Sequence, residues 1–301
     1  MSDVESPSAR RPYGLARVCR AWRIPRSSAQ LVRHRRQSSA TDVEPPRRGP
    51  KSALSDQEIL DAVRDAIADS PWVGEGHRKM WAYLRSKGIR TRRDRVLRVM
   101  RENGLLAPSR QGSPPGPRVH DGTIVTHRPD QMWGTDATGT MTGEGFATIF
   151  LLVDHCTGEC LGAHAARRGT RHEALEPLRQ AVRHSFGAFA KDIARPAGLK
   201  LRHDHGSQFV SHAFQEEIAF LGIESSPSFV RSPEGNGCAE RFVRTLKEQL
   251  LWLRRFATVE ELLAALHEFR KAYNERWILQ RHDYLTPSAV RAKLLERAKV
   301  A

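Results

Sequence analysis

Residues 147–154 read ATIFLLVD. Apart from Thr148 the run is apolar up to its closing aspartate, and it mixes β-branched, aromatic and aliphatic side chains. Eight such residues fit a buried strand better than a helix. Working outward, Cys160–Ala165 fits its hairpin partner, with His155–Glu159 as the turn, and Trp133–Thr138 fits a strand on the other side. Beyond these, residues 170–185 have helical spacing through Ala174, Leu178 and Val182. Leu199–His203 reads as a short strand, Ala213–Leu221 as a helix closed by Gly222, and Ile223–Ser225 as another strand. Asn236 to about Arg255 predicts one long helix, and Val259–Tyr273 a further one. Three strands followed by alternating helix and strand imply an α/β fold, a mixed sheet with helices on its faces.

The front of the chain has a different character. Residues 1–120 hold 25 of the 49 Lys and Arg but only 12 of the 34 Asp and Glu, a net of +13, whereas the remainder is nearly balanced at +2. A basic front points to a polyanionic partner, DNA or RNA first. Residues 12–36 predict a helix, a turn and a second short helix, and 37–54 are rich in Ser, Pro and charge. Ser55 with Glu58 three residues on reads as a capping box opening a helix striped by Ile59, Leu60, Val63 and Ile67. A second helix is expected over 76–86, and a third after Thr91 as its cap, ending near Gly104. This is a small all-helical domain of helix-turn-helix type. Its last helix carries Arg92, Arg93, Arg95 and Arg98, candidates for contact with DNA in a major groove. Residues 107–120 contain four Pro and two Gly and read as a linker.

The division is therefore a basic helical segment (1–36), a linker (37–54), the helix-turn-helix-type domain (55–106), a linker (107–124), the α/β core with its C-terminal helices (125–290) and a tail (291–301). No stretch approaches a membrane span, no secretory signal is visible, and four scattered cysteines suggest neither a zinc site nor a disulfide framework. The expected location is the cytoplasm.

Three acids stand out by position. Asp136 lies inside the strand of MWGTDATG; Asp204 follows the strand LKLRH in RHDHGSQF; Glu240 begins a long helix after SPEGNGCAE. Each taken alone is equally at home as a turn residue or a helix-N-terminal acid. At 100° per residue Glu240, Arg244 and Lys247 share one face of that helix, while Phe242, Val243, Leu246, Leu250 and Leu253 share another that should pack on the sheet. A Glu240–Arg244 ion pair is the simpler reading of that edge. His203 and His205 flank Asp204, and alternation along a strand turns at least one of them away from whatever Asp204 faces. Cys156 and Cys160 straddle a turn and read as packing residues, and Asp154 as a strand-end acid.

WGTDAT, RHDHGSQF and SPEGNGCAERFVRTLK, with 35 residues between Asp204 and Glu240, resemble the second-reading-frame transposases of IS3-type insertion sequences, which carry a retroviral-integrase-like DDE core. YNERW at 273–277 and the helical stretch 76–105 are similar to that family's C-terminal and DNA-binding segments. The resemblance implies an RNase H-like five-stranded mixed sheet. Asp136 falls on its first strand, Asp204 after the fourth and Glu240 on a helix facing both. Together they hold two Mg²⁺ ions, with Mn²⁺ able to substitute. It implies metal-dependent cleavage at a DNA 3′ end and strand transfer without a covalent protein–DNA intermediate. An RNase H-like nuclease and an inactive DNA-binding regulator are the other readings. Arg241, Arg244, Lys247 and Gln208 become candidates for DNA contact, and Gly206, Gly235 and Asn236 for shaping the loops, Asn236 also as the helix cap. The implied partners are double-stranded DNA, both element ends and target, further copies of the chain on that DNA, and an upstream-frame product or a fusion with it. In a bacterium the chain is then associated with the nucleoid.

Overall fold

The computed structural model describes residues 3–38, 53–108, 124–228 and 236–300, and the chain divides into two compact units, 1–53 and 54–301. Both predicted linkers lie largely outside the described residues, as does Gly235. In the first unit, α1 (Leu15–Ala21) and α2 (Arg26–Ser38) are joined by a tight turn in which Arg23 takes φ +53° and Ile24 N–H donates to the Cys19 carbonyl at 2.9 Å. Cys19 is buried, and the arginines of α1 are exposed.

The second unit opens with three helices, α3 (Asp56–Asp69), α4 (His77–Ser86) and α5 (Arg93–Glu102). The expected capping box is formed: Ser55 Oγ accepts from Glu58 N–H at 3.2 Å, and Glu58 Oε2 accepts from Ser55 N–H at 2.6 Å. Ile59, Val63, Met80, Leu84, Val96 and Met100 close a small core of their own. Thr91 does not cap α5. Arg92 occupies the cap position without a side-chain bond, and the Thr91 carbonyl instead accepts the Trp81 indole N–H at 2.9 Å.

The sheet follows. β1 (Met132–Thr142), β2 (Gly145–Asp154) and β3 (Cys160–Ala166) form an antiparallel meander. α6 (Arg171–Phe186) then crosses to β4 (Lys200–His203), parallel to β1, and α7 (His212–Phe220) leads to β5 (Glu224–Pro227), parallel to β4. The order is β3-β2-β1-β4-β5, the mixed five-stranded arrangement the sequence implies. Both β1 and β2 extend further than expected, because the turn of their hairpin is only two residues long.

β2 is buried on both faces, which explains its unbroken apolar run. Ala147, Ile149, Leu151 and Val153 face α8 (Gly237–Leu246) and α9 (Val259–Arg276), against Phe242, Leu246, Leu262 and Phe269. Phe150 and Leu152 face the other way, with Trp133 and Leu201, against Leu175, Leu178 and Val182 of α6 and Phe214 and Ile218 of α7. At Gly162 a Cβ would run into the Pro177 carbonyl, so the missing side chain lets α6 settle directly on β3.

The predicted long helix from Asn236 is shorter. The α-helix ends at Leu246 and continues as a π-helical turn, Lys247–Leu251. A π turn spends an extra residue per turn and shifts the phase of the apolar stripe. Leu250 still packs on the core, but Leu253, expected to do so, is 56% exposed beside Trp252.

The helical module is fastened to the core. Trp72, between α3 and α4, inserts edge-on against Phe269 and Trp277, and Lys79 Nζ sits 3.0 Å from the centroid of the Trp277 ring. Gln249 in the π turn makes two hydrogen bonds with the Val73 backbone, at 2.8 and 2.9 Å.

The expected tail begins inside a helix, α10 (Pro287–Val300), and Arg291 is buried. Its guanidinium pairs with Asp130, which also accepts from Trp133 Nε1 and Ser185 Oγ at 3.0 Å, and reaches to 3.6 Å from Glu159. Arg291→Ala would leave buried carboxylates with no cation. It should cost about 3–5 kcal/mol, read as a lower midpoint in urea unfolding.

Candidate active site on the α8 face of the sheet

Strand geometry brings two of the three acids together. Asp136 is paired across the β1–β2 ladder with Leu151, whose side chain faces α8 and α9; directly opposed residues share a face. On the other side of β1, Gly134 is in register with Arg202 of β4. Two residues further along lie Asp136, still in β1, and Asp204, the first residue past the end of β4. Neighbouring strands run about 4.8 Å apart, so the two acids stand side by side. Alternation does the rest: Leu201 packs into the opposite core and His203 stacks near Phe209 and Phe214 there, which turns Asp204 toward Asp136.

α8 supplies the third acid. Its buried stripe, Ala239, Phe242, Val243 and Leu246, packs on the face that Asp136 shares. Glu240 lies beside that stripe and is exposed, Asp204 is exposed, and Asp136 is half-buried. Asp136 Oδ1 accepts from Ala137 N–H at 2.8 Å, and Asp204 Oδ1 from Gly206 N–H at 2.8 Å.

The electrostatics follow this layout. Burial is the main cause that pushes the Asp136 carboxyl up to about 6; the Ala137 N–H opposes it, Asp204 adds to it and Lys247 counters it. The Glu240 carboxyl is also raised, first by loss of solvent in the cleft and then by the charge of Asp136. Asp136 therefore feels both other acids and stands at the centre of the group. Among the described residues, no three His, Cys, Asp or Glu side chains converge on a single ion-sized point.

The remaining sequence candidates separate by surroundings. Lys247 is close enough to act on Asp136, whereas Arg244 pairs with Glu248 at 2.9 Å, not with Glu240. Arg241 lies on the outer side of α8 and is exposed. Gly206 leaves room for the Asp204 carboxylate, since a Cβ there would come within 2.9 Å of Oδ1, and Gln208 folds against the same glycine. On α5, Arg92 and Arg93 are exposed, but Arg95 and Arg98 are engaged inside the module. Both bind Asp56, at 2.6 and 2.7 Å, and Arg98 also binds Glu102.

The two histidines flanking Asp204 both make hydrogen bonds within the protein. His203 is buried, donates from Nδ1 to the Asp204 carbonyl at 2.7 Å, and accepts at Nε2 from Ser225 Oγ at 2.9 Å; burial holds its pKa down. His205 donates from Nε2 to the Ser228 carbonyl at 2.8 Å. Asp154 is fully buried and satisfied by Asp130 N–H, Thr157 N–H and Thr157 Oγ, a strand-end role as expected.

Asn236 departs from its expected role. It stands at the cap position of α8 but makes no capping bond. Its Nδ2 donates instead to the Thr135 carbonyl at 2.9 Å. Gly134, which the sequence reading passes over, is the glycine against which Asn236 and His155 pack. A glycine inside a strand beside a candidate catalytic acid is a signal for such a close approach.

The chain is similar to known proteins along most of its length. Residues 126–233 and 221–287 match Integrase core domain families, and residues 55–112 match an HTH-like domain family. The chain is 28% identical over 256 residues to the Transposase InsD for insertion element IS2A/D/F/H/I/K of Escherichia coli, covering 80% of this chain and 78% of that protein. It is 28% identical over 263 residues to an insertion element IS2A uncharacterized 48.2 kDa protein of Escherichia coli, and spans 57% of that relative's length. Among solved structures, the catalytic core domain of BIV integrase aligns with a TM-score of 0.42 at 21% identity, over 57% of this chain and 99% of that one. The HTLV-2 integrase catalytic core domain in complex with magnesium aligns with a TM-score of 0.41 at 18% identity, over 55% and 97%. The mixed five-stranded sheet with helices on both faces lies in the stretches that match the Integrase core domain families, and the helical domain before it in the stretch that matches the HTH-like family. The relatives of this chain are thus insertion-element IS2 transposases, to which it is similar over 80% of its length, and its stretches match an integrase core and an HTH-like domain.

Proposed function

We propose that Asp136, Asp204 and Glu240 form the catalytic triad of a metal-dependent reaction on DNA, cleavage at a 3′ end of the element followed by strand transfer. The observation that carries this reading is the placement of Asp204 just past the end of β4, near enough to Asp136 of the neighbouring β1 for its charge to act there, with Glu240 brought over the same face by α8.

The donor set fits hard divalent cations, Mg²⁺ first and Mn²⁺ as substitute. All three groups are carboxylates, and Asp136, raised to about 6, is ill at ease as an anion until a cation joins it. Two such ions would be held by the three carboxylates, Asp136 with Asp204 for one and Asp136 with Glu240 for the other. Bound there, the cations would neutralise phosphoryl charge and lower the cost of forming an oxygen nucleophile and releasing an oxygen leaving group.

The protein's own groups do the positioning. Lys247, and Arg244 with Arg241 along α8, would hold phosphates of the element end; Gln208 would steady the strand beside Asp204; Arg92 and Arg93 of the HTH-like domain would contact duplex DNA. Water oxygen attacks phosphorus in the first step, and the bond to the 3′ oxygen breaks, leaving a 3′-hydroxyl. In the second, that hydroxyl attacks a target phosphodiester and displaces its 3′ oxygen, so no bond to a protein side chain is required. The substrates are the element's terminal repeats and target DNA, and the working form is a homo-oligomer assembled on them, alone or with an upstream-frame product. Among the described residues no helix is long and apolar enough to cross a membrane, in keeping with a place on the nucleoid.

Three outcomes follow. In a cleavage and joining assay on labelled element ends with Mg²⁺, Glu240→Gln and Asp204→Asn should each lose activity by more than roughly a hundredfold; wild-type rates would overturn the triad, and free 3′ ends without joined products would mark a nuclease. Lys247→Ala should lower the slope of log affinity against log salt by about one, measured by fluorescence anisotropy. The third concerns stability. The folded-state pKa of Asp136 lies above its unfolded value, so the metal-free protein loses stability as pH rises from about 4 through about 6. Asp136→Asn should therefore raise the melting temperature of the metal-free protein at pH 7, by on the order of 2 kcal/mol of stability, while abolishing cleavage.

A further inference from the structure

Asn236 is the residue immediately before α8, and only 4% of it is exposed. A side chain that buried neither reaches a ligand nor serves as a helix cap. Its amide crosses from the start of α8 to the middle of β1, a separation of 101 residues in sequence, and donates to the carbonyl of Thr135, next to Asp136. Glu240 is four residues further along α8, one helical turn. The bond therefore ties the element bearing one acid to the element bearing another, within one residue of the first and one turn of the second.

The surroundings are shaped to receive it. A Cβ on Gly134 would stand 2.8 Å from Asn236 Oδ1 and 2.6 Å from His155 Nε2. Any other residue at 134 would push both side chains away from the strand. His155 is itself held from both sides: its N–H donates to the Met132 carbonyl at 3.0 Å, and its carbonyl accepts from Arg281 Nη2 at 3.2 Å. Burial and the nearby Arg281 and Arg202 push the imidazole down to about 4, so it is a neutral wall at neutral pH, with its Nε2 and the Asn236 Oδ1 both buried and without a hydrogen-bond partner among the described residues. Gly134, Thr135 and His155 thus make a socket for one amide.

We infer that Asn236 is a positioning residue whose amide, seated over Gly134 and bonded to Thr135, sets the separation between Asp136 and Glu240. The inference rests on the triad proposed above. Apolar packing of Phe242 and Leu246 holds α8 on the sheet, but packing tolerates sliding along the strand. A directional hydrogen bond at the helix start removes that freedom. Carboxylates that must share cations need their spacing held to a fraction of an ångström.

The test removes the bond from either side. Asn236→Leu keeps the size of the side chain and loses the donor; Gly134→Ala keeps the amide and fills the socket. Hydrogen exchange on the metal-free protein reads the latch without activity: amides of Cys238–Arg241 should exchange faster in both variants, while those of β2 stay protected. The Mg²⁺ concentration for half-maximal cleavage should rise roughly tenfold or more, with the melting temperature within a few degrees of wild type. Mn²⁺ binding followed by calorimetry should weaken in parallel. Unchanged exchange at the start of α8, or unchanged metal dependence in a variant whose exchange has changed, overturns the inference. If the wild type fails to cleave DNA, the triad reading falls, and exchange with Mn²⁺ binding still decides whether Asn236 sets the carboxylate spacing. If Asn236→Leu does not fold, Gly134→Ala carries the same three readouts.

Discussion

Burial of β2 on both faces is the constraint from which the core follows. A strand that hides Ile149 and Leu151 on one side and Phe150 and Leu152 on the other needs helices on both sides. α6 and α7 cover one face. The other falls to α8 and α9, and whatever lies along the edge of α8 is then carried over β1. That edge holds Glu240, and β1 holds Asp136 on the covered face. The proximity of two acids distant in sequence is thus a consequence of hydrophobic packing, worth about 25 cal/mol per Å² of buried apolar surface, rather than of any attraction between them.

The acids themselves oppose the arrangement. Asp136 is pushed up by burial and by Asp204, and Glu240 by loss of solvent and by Asp136. Packing has to hold together groups that repel, a common feature of sites where function takes precedence over stability. The same sheet contains a contrasting case. Asp130 and Asp154 are buried at the entry to β1, but there Arg291 pairs with Asp130, and Thr157 and backbone N–H groups satisfy Asp154. One set of acids is neutralised by the protein and reads as structural; the other is left for something from outside.

Polar contacts refine what packing sets out. Trp72 and the Gln249–Val73 bonds fix the HTH-like domain to the core that it precedes, so the linker between them is not the sole connection. The clasp of Arg95 and Arg98 on Asp56 ties the ends of that domain together, and leaves Arg92 and Arg93 exposed at the start of α5. On α8, Glu248 takes Arg244, which a helical wheel assigns equally well to Glu240.

Most element types, the mixed character of the sheet and the three acids singled out as candidates are readable in the sequence. Apolar periodicity and the 35-residue spacing are local properties, legible without coordinates. So was the expectation that at least one of His203 and His205 turns away from what Asp204 faces, because alternation along a strand is geometric. What the sequence could not determine were partners distant in the chain. Asn236 reads as a cap until Thr135, 101 residues earlier, is seen beneath it; Leu253 reads as core until a π turn shifts the helix phase; the residues after 290 read as a tail until Arg291 meets Asp130. Each of these depends on which atoms the packed core brings within hydrogen-bond reach, and only tertiary structure decides that, since the strength of such a bond depends on distance and direction rather than on residue type.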